Sequence, residues 1–405
     1  MTSDHRRESS GPLRKLRVIE AGQLIAGPFC GQLLGDFGAE VIKIETPSIG
    51  DPLRTWRRMN GDGPSLWWPV IARNKKSITL DLRLPEGQAL ARRLVDGSDV
   101  LIENFRPGTM EKWNLGYDVL AASNPRLVMA RMSGFGQTGP YRQQAGFGSI
   151  GEAMGGLRYV TGYPDLPASR LGISIGDSLT AMFGALGVLS ALLVRQQSGR
   201  GQIVDAALYE SVLAVMECLV TEFDKAGIVR ERTGSTLPGV APSNVYPCSD
   251  GASIVIAANG NGVFLRLCEA MGRPDLAATG QFSTDEGRGA RQAELDGIIS
   301  AWTSALSSDA VLEVMRRFSV PAGLIYRAAD MLADPQFAAR EAIIEVRDAV
   351  LGDIKMQGVF PRLSATPGDV RSPAPTLGQH NEEIYCGRLG LSKQELSELH
   401  RREII

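Results

Sequence analysis

Over the first half of the chain, short runs in which apolar and polar residues alternate are separated by stretches with helical spacing. Residues 16–20 and 39–45 read as strands, with a turn at 22–28 and a helix at 29–37 between them, closed by Gly38. Residues 77–82, 99–103 and 127–132 repeat the strand pattern, and a helix is expected at 85–95, with Pro85 at its start and Gly97 after its end. This strand–helix–strand order predicts a parallel sheet with right-handed crossovers. The loops after such strands gather at the carboxyl edge, where open α/β sheets bind ligands.

The run 171–195, LGISIGDSLTAMFGALGVLSALLVR, stands apart. Ile173 and Ile175 alternate with small residues as a short strand would, and Gly176 breaks it. Asp177 then opens a helix whose next 17 residues carry no charge. That run is shorter than the roughly 20 apolar residues of a membrane span, so a buried core helix is expected. Asp177 has two readings. It can cap the helix, accepting hydrogen bonds from free backbone N–H groups, or it can be a carboxylate nucleophile at the mouth of a site. The pattern alone leaves both open.

Further on, 203–207 reads as a strand, 208–224 as a helix and 227–247 as a linker. A small α/β unit follows, with 252–258 as its clearest strand and helical spacing at 264–271, 290–306 and 309–318. Residues 320–325 begin a return, and a charged helix at 393–402 ends the chain. The expected division is a disordered tail at 1–13, a large domain at 14–227, a linker and small domain at 228–325, and a C-terminal return at 326–405 that completes the large domain.

Composition narrows the chemistry. The 405 residues carry 43 basic and 45 acidic side chains, and a net charge of −2 gives no electrostatic case for nucleic acid or an anionic membrane. The five cysteines are scattered and form no C-x-x-C pair, which argues for a reducing, cytoplasmic location and against disulfides or structural zinc. The three histidines, His5, His380 and His400, lie near the termini, so neither a histidine triad nor a metal site is expected. Residues 22–27, followed about twenty residues later by Glu45, imitate a dinucleotide fingerprint, but GQLIAG is not G-x-G-x-x-G. The long polar loop 46–68, with Trp56, Trp67 and Trp68, has the length of a functional loop.

Six stretches in order then resemble the family III CoA-transferases, the CaiB/BaiF-like group. They are AGPFCGQLLGDFGAEVIKIE (26–45), ARNKKSITLDLR (72–83), VLIENFRPGTMEKWNLGY (100–117), NPRLVMARMSGFGQTGPY (124–141), GDSLTAMFGALGVLSALLVR (176–195) and SGRGQIVDAALYES (198–211). The late LGQHNEEI (377–384) fits as well. The resemblance implies an α/β fold with a Rossmann-like large domain, a smaller α/β domain, and an interlocked, ring-like homodimer. It implies that Asp177 is the catalytic carboxylate, that a CoA thioester enters as substrate, and that no cofactor is permanently bound.

By the same resemblance, Ile25 and Ala26 face the thioester region, Leu80 and Arg83 the adenine end, and Asn104 and Phe105 the pantetheine and phosphate part of CoA. Lys112 falls where a relative has an arginine for phosphate. Thr46 replaces another CoA-binding arginine, a contact that Arg54, Lys75 or Lys76 would have to supply. Phe147 stands where related racemases carry a proton-transferring histidine, which argues against racemisation. The loop at 232–239 lacks the tetraglycine of the oxalate enzymes. What remains is most similar to enzymes that move CoA from succinyl-CoA to dicarboxylic acids such as malate, glutarate or itaconate. A second substrate carboxylate calls for a fixed cation, with Arg73, Arg142 and Arg170 as candidates by loop position. The alternatives are a racemase-like enzyme and a non-catalytic CoA-binding subunit of a heteromer.

Overall fold

The structure is a computed structural model that describes residues 11–59, 61–278 and 280–405. Six strands lie parallel in one sheet: β1 (Arg17–Glu20), β2 (Glu40–Glu45), β3 (Lys75–Thr79), β4 (Val100–Glu103), β5 (Val128–Ser133) and β6 (Ile203–Ala207), in the order β3-β2-β1-β4-β5-β6. Alternation along each strand sends successive residues to opposite faces. Ile19, Ile42, Ile78, Leu101 and Met129 pack on one face with Leu90 and Leu94 of a helix at Pro85–Asp96. Val18, Val41, Val100, Val128 and Ala130 pack on the other, beneath α1 (Ala26–Asp36) and a long helix at Ile175–Ser198. The sheet is therefore covered on both sides, as an all-parallel sheet requires.

Several elements differ from their sequence-based expectation. β3 starts two residues early because Lys75 is buried inside it beside Glu20, an ion pair that hydropathy cannot register. No strand forms before Asp177. The helix there starts at Ile175 and runs 24 residues, long and apolar enough by length and composition to cross a membrane, which corrects the expectation that it is too short. Only one stripe of it is buried: Ala181, Gly184, Ala185, Val188 and Ala191 face the sheet and α1, while Met182, Leu186 and Leu193 are more than half exposed. The helix expected at 208–224 is two, Leu208–Leu213 and Leu219–Ala226, with Glu217 at φ +52° between them.

The chain divides into two compact units. The first takes the described part of Met1–Leu157 together with Leu171–Leu219 and Gln336–Ile405; the second takes Arg158–Arg170 and Val220–Pro335. The boundaries thus fall later and earlier than 325/326 and 227/228, and a short loop joins the second unit. That unit has an antiparallel sheet of β7 (Ser243–Pro247), β8 (Ser253–Ala257) and β9 (Ala322–Leu324), so the expected return at 320–325 is a strand of the small sheet. Tyr246, Ile254, Phe264, Leu267 and Ile299 are in its core. Of the expected disordered tail, residues 1–10 lie outside the described residues. Residues 11–13 pack: Gly11 is buried, and the Leu13 N–H donates to the Phe37 carbonyl at 3.0 Å.

The C-terminal segment closes the β3 edge of the large sheet. Asn381 accepts from the Thr79 N–H at 2.9 Å, and the Tyr385 hydroxyl donates to the Thr79 carbonyl at 2.7 Å. Beside them Glu40 accepts from Lys76 at 2.7 Å and from Arg388 at 2.8 Å. Burial alone would raise the Glu40 carboxyl, but hydrogen bonds and charge from Lys76 and Arg388 outweigh it and hold it at about 2. The folded value lies below the unfolded one, so the unfolded chain binds more protons in acid. The stability Glu40 contributes is therefore present above about pH 4.5 and is lost as pH falls toward 2. Urea denaturation of Glu40→Gln across this range should show a flatter acid limb than wild type, with the two curves converging at low pH.

Candidate active site

Every loop that follows a strand of the parallel sheet opens at one edge. The first is the turn at 22–25, between β1 and α1. Asn104, just beyond β4, holds this turn from both sides: its Oδ1 accepts from the Gln23 N–H at 2.7 Å and its Nδ2 donates to the Gln23 carbonyl at 2.8 Å. Lys43 of β2 donates to the Gly22 carbonyl at 2.8 Å. Leu24 has φ +64°, a left-handed conformation that costs a branched side chain roughly 1–2 kcal/mol, and its N–H donates to Asp51 at 3.1 Å. Burial would raise the Asp51 carboxyl, but Lys43 and the backbone donors outweigh it and keep it low.

Asp177 lies at the same edge. The helix at Ile175–Ser198 is α3 here, and a shorter one, α2, spans Gly148–Met154. α1 and α3 both run back across the sheet against the strands. α1 follows β1 and α3 leads into β6 of the same parallel sheet, so both helices start at the carboxyl edge, and a Cβ placed on Gly184 of α3 would lie 3.7 Å from Cys30 Sγ of α1. Asp177 is not the N-cap. Ser174 takes that position, and Asp177 is the third residue of the helix, half-buried. Its carboxylate rests on the first residue of α2: a Cβ on Gly148 would lie 2.2 Å from Asp177 Oδ2 and 2.9 Å from Cγ. Glu152, fully buried in α2, accepts from the Gly176 N–H at 3.5 Å. Two helix N-termini thus meet at one carboxylate. Phe147, the residue before Gly148, is 62% exposed beside it.

The other expected residues divide by position. Ile25 and Ala26 are buried at the start of α1. Phe105 packs edge-on against Trp113 and donates its N–H to Glu103, whose carboxyl burial pushes up to about 7 against the pull of Arg131. Arg83 is exposed and chelates Asp81, and Lys112 is exposed at the end of the helix Thr109–Lys112. Leu80 is 2% exposed within the core, and its N–H donates to the Glu45 carbonyl at 2.8 Å. Arg142 is exposed on the loop between β5 and α2. Arg170 is exposed and belongs to the second unit.

Four cations depart from expectation. Arg73 precedes β3, at the opposite edge of the sheet. It is buried, forks onto Asp36 at 2.7 Å and donates to the Gln357 carbonyl at 2.6 Å, so it is not placed to meet a substrate carboxylate. The three stand-ins for the arginine missing at Thr46 are also engaged: Arg54 grips Glu45 at 2.7 Å, Lys75 pairs with Glu20 at 2.7 Å, and Lys76 bridges Glu40 and Glu383. Glu45, the acid of the dinucleotide-like pattern, is held by Arg54 and the Ser77 hydroxyl, away from any ribose role. Sequence reasoning missed Gly148, Glu152, Lys43 and Asp51. A glycine that admits a neighbouring carboxylate looks, in sequence, like any turn glycine.

The family model for CoA-transferase family III matches residues 13–381. The chain is 58% identical over 394 residues to the succinyl-CoA–D-citramalate CoA-transferase of Chloroflexus aurantiacus, covering 97% of this chain and 98% of that one. It is 42% identical to the succinyl-CoA–L-malate CoA-transferase beta subunit of the same organism, covering 97% and 98%, and 36% identical to the succinate–glutarate CoA-transferase of Agrobacterium fabrum, covering 93% and 95%. A crystal structure of a CAIB/BAIF family protein from Brucella suis superposes with a TM-score of 0.82 at 34% identity, over 94% of this chain and 100% of that one.

The contact between Gly148 and Asp177 gives a direct test. Gly148→Ala puts a methyl group on the carboxylate and must displace it. Turnover should fall about 10²-fold, the order that an ångström of misplacement costs, while the thermal midpoint moves by only a few degrees. Steady-state kinetics and calorimetry on the same sample would separate the two effects.

Proposed function

Because the chain belongs to CoA-transferase family III, we propose that it moves CoA from succinyl-CoA to a C4–C5 dicarboxylic acid of the citramalate or malate type. The observation that carries this reading is Asp177 at the meeting of two helix starts, at the edge where ligands bind. The acid pair rests on the identity to the citramalate enzyme along nearly the whole of both chains.

In the proposed mechanism the Asp177 carboxylate attacks the thioester carbonyl, forming a mixed anhydride and releasing CoA thiolate. The thiolate attacks the aspartyl carbonyl, which gives an aspartyl-CoA thioester and frees succinate. The acceptor carboxylate then attacks that thioester, forming a second anhydride and again releasing thiolate. Attack of the thiolate on the acceptor's acyl carbon yields the new acyl-CoA and restores Asp177. Each step exchanges one activated acyl group for another, and covalent catalysis divides one hard transfer into easier ones. CoA enters as substrate, and the sequence needs no resident cofactor.

Arg142, exposed on the loop that leads to Phe147 and Gly148, is the cation we assign to the acceptor's distal carboxylate. Phe147, the residue before Gly148, offers no proton acceptor, which favours transfer over racemisation. The exposed apolar row Met182, Leu186 and Leu193 on α3 supports a homodimer, interlocked as the family resemblance implies. The malate relatives are alpha and beta subunits, so the chain is to be assayed alone.

The purified chain should transfer CoA from succinyl-CoA without a second subunit. A mass-spectrometric screen of acceptors should rank citramalate and malate above glutarate. Asp177→Ala should abolish transfer while CoA binding survives, and hydroxylamine should trap an activated Asp177 on exposure to succinyl-CoA alone. Normal turnover by the Ala variant would end the proposal.

A further inference from the structure

The turn at 22–25 is held by a network of buried charges that the steps above do not use. Lys43, Glu20 and Lys75 have side chains with 0% exposure, and Asp51 is 1% exposed. Lys43 pairs with Glu20 at 3.0 Å and with Asp51 at 2.8 Å, and Lys75 pairs with the other oxygen of Glu20 at 2.7 Å. Each member also grips backbone. Lys43 holds the Gly22 carbonyl at 2.8 Å, Lys75 the Pro28 carbonyl at 2.6 Å, and Asp51 the N–H groups of Leu24 and Leu53 at 3.1 and 2.8 Å. Asp51 is itself fixed, its N–H donating to Glu45 at 2.9 Å.

Two features separate this from a core ion pair that merely satisfies itself. All the backbone groups it grips belong to the turn, to the first helical turn of α1, or to the loop that carries Asp51. And the residue at its centre, Leu24, is held in a left-handed conformation that a branched side chain avoids. Strained backbone of this kind persists only where its surroundings over-determine it, and it clusters at functional sites. The turn opens on the edge that carries Asp177.

We propose that Lys43 and Asp51 are positioning residues for the transfer reaction: they hold Leu24 in its left-handed conformation and so set the turn at 22–25 against the acyl group carried by Asp177. They act through the turn and touch neither substrate nor CoA. The inference rests on the transferase reading above.

The test compares Asp51→Ala, Asp51→Asn and the double variant Asp51→Ala/Leu24→Gly, each assayed for kcat and KM with succinyl-CoA. Asp51→Ala should lower kcat about 10²-fold and leave KM for succinyl-CoA within about threefold. Asp51→Asn keeps an acceptor for the Leu24 N–H and should retain more activity than Asp51→Ala. Glycine adopts φ near +60° without a clamp, so Leu24→Gly should restore a large part of the kcat lost in Asp51→Ala. Hydrogen exchange at 22–26 should quicken in Asp51→Ala and not in wild type.

A structural role alone would lower the melting temperature and the active fraction together, with no rescue by glycine, and that result would overturn the proposal. So would an unchanged kcat in Asp51→Ala. Should Asp51→Ala fail to fold, Leu24→Gly and Leu24→Val leave the charges intact; the valine variant should lose at least about fivefold more kcat than the glycine variant, because β-branching opposes φ > 0, and equal rates would refute the idea. Inactive wild-type protein would count against the transferase reading instead.

Discussion

The approach of the Asp177 carboxylate to the backbone of Gly148 is the contact on which the rest of the site depends. It requires the start of α2 to lie beside the first turn of α3, so that two sets of helix N–H groups point toward one region. Fixed dipoles of this kind do not have to reorganise as charge moves during a reaction. The same closeness forbids any side chain at position 148. Phe147 can be large because its side chain is exposed, and Gly176 must be small because the Gly148 carbonyl and Glu152 crowd it, with 2.9 Å left for a Cβ.

The parallel sheet decides which residues can take part. Everything after a strand comes to the carboxyl edge, and everything before one goes to the other. Asn104 and the turn at 22–25 meet because β1 and β4 are neighbours in the sheet, although 81 residues separate Gln23 from Asn104. Arg73 is excluded by the same rule. One residue type in one loop was a plausible carboxylate ligand in sequence, but it precedes β3 and its guanidinium has Asp36 and two carbonyls to satisfy.

Much of the large domain was legible because its strands are apolar and its turns carry glycine and proline. β6 was read at its observed bounds, and the helix at Pro85–Asp96 within one residue. The failures share a cause. Hydropathy has no term for a charge buried against its counter-charge, so β3 was begun after Lys75 and Lys76 rather than at them. It also cannot distinguish a helix buried all round from one with a single buried stripe, which is why the run after Asp177 predicts a buried core helix. Asp177 stands out in the sequence because glycine, aspartate and an uncharged run form a linear signal, to which the family resemblance attaches a role. Gly148, Lys43 and Asp51 were not, because their partners are remote in sequence and only the fold brings them together.

The buried charges at the start of α1 raise the question of why the fold keeps them. Replacing a buried ion pair with well-packed apolar residues is often neutral or stabilising, so stability alone gives little reason to retain Lys43, Glu20, Asp51 and Lys75. An apolar cluster of the same volume would fill the space and would make no directed bonds to the Gly22 carbonyl or the Leu24 N–H. Packing tolerates small shifts, whereas a hydrogen bond from an immobilised ion fixes both distance and direction. A turn that must hold a left-handed leucine at the mouth of a site is where such directed bonds have an advantage over packing. Beneath α3, where Ala181, Ala185, Val188 and Ala191 pack with Val128 and Ala130, close apolar contact suffices.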